Sequence, residues 1–94
     1  MEKGNVEFTV IDEDTRAAIE HALIVVNPEA EEDVLVWTNS VGVGRVEGLE
    51  VGELHSFSIW ARDYWRKRGN FTVYEPVGDT PQTTIRKVAL KRRE

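Results

Sequence analysis

Few side chains in this sequence could drive a reaction, and their spacing works against it. The histidines are His21 and His55, the serines are Ser40, Ser56 and Ser58, and cysteine is absent. A serine nucleophile needs an adjacent base and a tight turn such as G-x-S-x-G to present it, and none of the three has either. His21 follows Glu20 and lies near Asp12 and Asp14 in sequence, a donor set for one divalent ion, but no H-x-x-x-H spacing supports a metal centre. His55 falls in an apolar stretch where a surface position or a bulge is its expected place. Without cysteine there is neither a disulfide framework nor a thiolate site. The sequence is therefore read as holding no catalytic residues, no metal site and no cofactor, and as not being an enzyme.

The glycine-rich run Gly42 to Gly48, GVGRVEG, departs by one residue from a dinucleotide-binding loop, and no helix follows it to hold a phosphate. Hairpin glycines account for it better. What remains is chemistry of contact. Phe57, Ile59 and Ala61 alternate as the inward set of a strand, which turns Trp60 outward, close to Tyr64 and Trp65. Exposed tryptophans anchor protein interfaces or stack on sugars. Arg62, Arg66 and Arg68 interleave with these rings, so the candidate binding residues are Trp60, Arg62, Tyr64, Trp65, Arg66 and Arg68. Aromatics mixed with arginines also suit single-stranded nucleic acid, but a pI near 5.0 and the lack of any nucleic-acid motif weigh against it.

Positioning such residues falls to a small scaffold. At 94 residues, 40% hydrophobic and 31% charged, the chain is expected to be one domain, residues 1–94 with an ordered core from about 5 to 91, too small for a core plus a deep cleft. The net charge of −5 is unevenly spread: Met1 to His55 carries 13 acidic and 3 basic residues, Ser56 to Glu94 carries 4 and 9. Interleaving strands would neutralise much of this; opposed acidic and basic faces would favour a protein partner or self-association. No apolar run approaches the roughly 18 residues of a membrane span. The opening MEKGNVEF lacks the regions of a signal peptide, and localisation stays open between the cell interior, a virion and, for a piece of a longer secreted protein, the exterior.

Seven short strands are predicted. Val6 to Ile11 alternates with period two; Asp12 to Ala22 reads as a loop; Ala22 to Asn27 is a near-continuous apolar strand stopped by Pro28. After the acidic loop Pro28 to Asp33 come Val34 to Thr38, with Leu35 and Trp37 sharing a face, and Val43 to Glu47, with Leu49 plugging the core from a turn. In the fifth strand Leu54 is out of parity with Phe57, so a bulge is expected near His55. Tyr64 to Asn70 reads as a charged loop, Phe71 to Glu75 as the sixth strand, the residues around Pro76, Gly78, Asp79 and Pro81 as a turn, and Thr83 to Lys91 as the seventh strand. Arg92 to Glu94 are expected to fray. This pattern predicts an all-β, seven-stranded antiparallel Greek-key β-sandwich.

The stretch VIDEDTRAAIEHALIVV, followed by T-N-S-V-G, G-L-E-V-G and A-R-D-Y, resembles the carboxypeptidase regulatory-like domains, which share a transthyretin-like, prealbumin-type sandwich with the collagen-adhesin B-type repeats. The resemblance spans Val6 to Tyr64, about two-thirds of the chain, and rests on turn glycines, a core leucine and an anchoring tyrosine. Ala18 stands where the family often has proline, and Asp63 replaces a glycine at a turn whose left-handed backbone aspartate tolerates. Internal Lys–Asn crosslinks occur among the adhesin relatives; Val6, Phe8 and Val10 hold the inward positions here with Lys3 outside, which argues against one. The resemblance implies a transthyretin/immunoglobulin-like fold and a non-catalytic module that mediates protein–protein contact in a larger assembly, as a virion or tail component, a surface fibre or an accessory domain. The alternative is a module binding carbohydrate or single-stranded nucleic acid.

Overall fold

Val6, Phe8 and Val10 are wholly buried and Glu7 and Thr9 are half-buried, the alternation that makes β1 (Lys3–Asp12) the central strand of the first sheet. The computed structural model describes residues 3–27, 34–73 and 83–93. β2 (Leu23–Val26), β3 (Val34–Trp37), β4 (Val43–Glu50), β5 (Leu54–Trp60), β6 (Lys67–Thr72) and β7 (Thr83–Leu90) follow. Three strands in the order β4-β1-β7 face four in the order β3-β2-β5-β6, the two-layer sandwich that the pattern predicts. The acidic run 28–33, the turn 76–81, the end of the expected sixth strand and Glu94 lie outside the described residues.

All pairs are antiparallel except β1 with β7, which run parallel from Asn5 opposite Thr83 to Asp12 opposite Leu90. The core fills the space between the sheets. Phe8 meets Phe57 at 5.3 Å and Phe71 at 5.4 Å between ring centroids, the latter edge to face, and Ile24, Ile59, Val88 and Leu90 close around them.

Four local expectations are corrected. The bulge lies in β4 rather than near His55: between Gly4 opposite Leu49 and Val6 opposite Val46, two steps on β1 match three on β4. Gly48 absorbs the extra residue with φ of 76°, and Leu49 plugs the core from within a strand that continues to Glu50. The β5–β6 register runs unbroken from Leu54 opposite Thr72 to Ile59 opposite Lys67. It is therefore Leu54 that faces water, 71% exposed, and His55 that faces inward, 5% exposed.

His55 is tolerated there because both ring nitrogens are partnered. Nε2 lies 2.8 Å from the Glu50 carbonyl, so it donates, and Nδ1 accepts at 3.0 Å from the Asn27 side-chain amide. Asn27 Oδ1 in turn accepts from the Ser56 N–H, and the ring stacks on Phe71. In the third correction, β6 starts at Lys67, inside the expected loop, because Ile59 and Phe57 pair with Lys67 and Gly69. A side chain at Gly69 would meet the Phe57 ring at 2.7 Å, so glycine leaves room for that ring at the sheet margin. Last, Arg92 and Arg93 do not fray: Arg92 bridges to Tyr64, and the Arg93 N–H donates to the Asp63 carbonyl at 2.8 Å.

Candidate interaction surface

The outer face of the four-stranded sheet follows from the same alternation that fills the core. With Ile24, Phe57 and Ile59 inward, Leu23, Val25, Leu35, Trp37, Ser58 and Trp60 point the other way. Leu23 pairs with Trp37 on one side and Trp60 on the other, so two tryptophans flank a leucine across three strands. Trp37 is 61% exposed and Trp60 39%. Leu35, Val25, Ser58 and Arg68 form the next row along the strands.

Arg66 places its guanidinium 5.6 Å from the centre of the Trp60 ring, a cation–π contact that orders both side chains. Over β5, β6 and the turn between them lies an open depression of about 410 Å³ lined by Ser56, Phe57, Ser58, Trp60, Arg66, Arg68, Gly69 and Asn70. Ser58 is buried, and its Oγ has no hydrogen-bond partner among the described residues. No carboxylate among them forms an ion pair with Arg66 or Arg68.

Tyr64 has a different task from the other candidates. Half-buried against the core, it donates its hydroxyl to Asp12 Oδ2 at 2.7 Å. The other carboxylate oxygen, Oδ1, accepts from the N–H groups of Asp14 at 2.8 Å and Thr15 at 3.0 Å, while Arg92 lies 3.8 Å from Oδ2. The Tyr64 hydroxyl first, then these N–H donors and the Arg92 charge, hold the Asp12 carboxyl down from 3.8 to about 2, against the opposing effect of burial. One buried acid thus ties the end of β1 to the β5–β6 turn and to the chain after β7. The turn is entered through Asp63, whose φ of 70° is the left-handed backbone expected of that position.

Trp65, 56% exposed, belongs with the chain after β7: its N–H donates to the Lys91 carbonyl at 2.9 Å and Arg93 lies over its ring at 5.8 Å. Arg62 is exposed on the turn. The structure thus brings Trp60, Arg66 and Arg68 together, adds Leu23, Trp37 and Ser58 to them, and sets Tyr64 in an anchoring contact. Period-two alternation turns Trp37 and Ser58 to the outer face of the sheet, but their nearness to Trp60 depends on strand order, which alternation does not encode. The His21 ring lies 3.0 Å from the Glu20 carboxylate on the surface, and among the described residues no cluster of three or more metal-ligating side chains forms.

No protein-family model matches the chain, and no curated protein matches it in sequence. Solved structures do match it in fold. The Bacillus anthracis TIE protein superposes with a TM-score of 0.74 at 17% identity, over 96% of this chain and 16% of that one. BcpA, the major pilin subunit of Bacillus cereus, gives 0.72 at 19% identity over 95% and 29%. A streptococcal ancillary pilin gives 0.65 at 25% identity over 97% and 30%. Together with the two-sheet architecture, these likenesses define the class: an all-β sandwich domain of the transthyretin/immunoglobulin-like kind, built like domains of pilin subunits. The chain spans less than a third of each of these three proteins.

Proposed function

We propose that this chain is a non-enzymatic contact module of a surface fibre, a sandwich unit that holds neighbouring protein units in place. The observation that carries the reading is the near-complete superposition on part of a major pilin subunit and part of an ancillary pilin, with this chain covered over 95% and 97% of its length. Sandwich domains suit such work because their backbone hydrogen bonds are spent within the sheets, leaving outer faces and loops free for recognition. The contact surface is the Trp37–Leu23–Trp60 row with Arg66 and Arg68, a mixture of tryptophan and arginine of the kind that dominates interface energetics. The resemblance to carboxypeptidase regulatory-like domains fits the same module. Its D-x-x-T and A-x-x-Y elements supply Asp12, Thr15 and Tyr64, whose mutual hydrogen bonds brace the end of the sandwich nearest Trp60.

Immunogold labelling of the source cells with an antibody against this chain tests the reading. Gold is expected along filaments that project from the cell surface. Label confined to the cell interior, with surface filaments unlabelled, refutes it.

A further inference from the structure

The depression beside Trp60 has a chemical polarity that a generic contact face does not need. Its side-chain groups are two guanidinium ions, two hydroxyls and an amide, together with the indole and phenyl rings, and none of its lining residues is acidic. Arginine presents N–H donors in a planar fork that fits a carboxylate at two points. Arg66 makes a cation–π contact with Trp60, its guanidinium carbon 5.6 Å from the ring centre. Arg68 stands directly opposite Ser58 in the β5–β6 ladder, which places its guanidinium on the same face as the Ser58 hydroxyl.

Ser58 supplies a second, independent observation. A buried hydroxyl without a partner destabilises a fold, since it has given up water and gained nothing. A serine that lines an arginine-flanked depression gains a partner when an anionic oxygen enters. We infer that the depression formed by Ser58, Trp60, Arg66 and Arg68 seats a carboxylate from an acidic segment of a partner protein. This rests on the reading of the chain as a protein-contact module and names the chemistry of its partner.

A protein segment fits better than an acidic sugar because of what surrounds the seat. Leu23 and Leu35 continue from it across the sheet, and these aliphatic side chains receive the apolar residues of a peptide but offer a sugar no ring to stack on; Trp37, beyond Leu23, would serve either. Arg66 already lies over the indole of Trp60, the ring that a sugar would use. The partner segment therefore carries glutamate or aspartate two residues away from an apolar residue, so that in extended chain both side chains face the sheet, the acid entering the depression and the apolar side chain meeting the leucine and tryptophan row.

Fluorescence anisotropy with a labelled hexapeptide carrying glutamate, leucine and valine at its first, third and fifth positions and threonine between them tests this on the folded chain. Wild type is expected to bind it with an affinity that falls as salt rises, and to ignore the same peptide with lysine in place of glutamate. The double variant Arg66→Gln with Arg68→Gln is expected to bind at least about tenfold more weakly. Ser58→Ala is expected to bind roughly fivefold more weakly while its thermal midpoint stays equal to or above that of wild type, because it deletes an unpaired buried hydroxyl. No binding of the acidic peptide, equal binding by the arginine double variant, full affinity in Ser58→Ala, or tighter binding of a glucuronate tetrasaccharide or an oligothymidylate each overturns the inference. Its failure is separable from that of the fibre reading: labelled filaments with no peptide binding sink the carboxylate seat alone.

Discussion

Gly42 and Gly48 share a φ of 76°, a left-handed conformation, but differ in their surroundings, and this makes them a controlled pair. A Cβ built on Gly48 meets nothing within 4 Å. Gly48→Ala therefore costs only the left-handed strain of an alanine, about 1–2 kcal/mol, offset by about 0.4–1 kcal/mol from a stiffer unfolded chain. A net loss of about 1 kcal/mol is expected.

At Gly42 the Cβ would sit 2.6 Å from the Val10 carbonyl oxygen, 3.1 Å from the Ala18 Cβ and 3.2 Å from the Ile19 nitrogen. That carbonyl accepts from the Ile19 N–H at 3.0 Å, and the Val10 N–H donates to the Gly42 carbonyl at 2.8 Å, so the clash cannot be relieved without pulling on both bonds. Weakening two hydrogen bonds at about 0.5–1.5 kcal/mol each brings the expected cost of Gly42→Ala to roughly 3 kcal/mol. A small protein has a urea slope of about 1–3 kcal/mol per molar, so the two variants should differ in midpoint by about 1 M, with unchanged slopes. Gly48→Asn should recover part of the smaller loss, since asparagine enters the left-handed region more readily than alanine. If Gly42→Ala and Gly48→Ala unfold at the same urea concentration, the packing of the 39–42 turn against β1 is not what limits this position, and the reasoning fails.

Two further outcomes are expected. Because the Asp12 carboxyl is held at about 2 rather than 3.8, its contribution to stability is complete above 3.8 and is lost as pH falls through about 2. Thermal melts across that window should therefore fall more steeply for wild type than for Asp12→Asn, which should start lower at neutral pH and change less; parallel acid limbs would show that Asp12 is not the titrating brace. His55→Leu should cost about 1–3 kcal/mol in chemical unfolding, because the Asn27 amide and the Glu50 carbonyl lose their partner. A variant as stable as wild type would mean that His55 acts only as an apolar filler beside Phe71.

The strands were legible wherever alternation was strong. Val6, Phe8 and Val10, or Phe57 and Ile59, announce an inward face because side-chain direction in extended chain is a local property with period two. Turn chemistry was equally local: the left-handed backbone at Asp63 and the glycines at 42, 48 and 52 follow from residue type. The run from Leu23 to Val26 was harder, since an unbroken apolar stretch hides its parity, and only the paired strands show Leu23 facing out between Trp37 and Trp60.

Residue order by itself determined that this protein is a seven-stranded sandwich, that Val6, Phe8, Val10, Phe57 and Ile59 enter its core and that Trp60 emerges beside arginines, because strand alternation and turn chemistry depend on neighbours one to four residues away. Tertiary structure alone decided that β7 lies parallel to β1, that β6 begins early enough to set Arg68 opposite Ser58, and that Asp12 and His55 are buried, Asp12 partnered from 52 residues away by Tyr64 and His55 from 28 away by Asn27. The physical reason is the same in each case. Register and the burial of a polar group are settled by partners that the chain brings together only on folding, and no local pattern carries their identity.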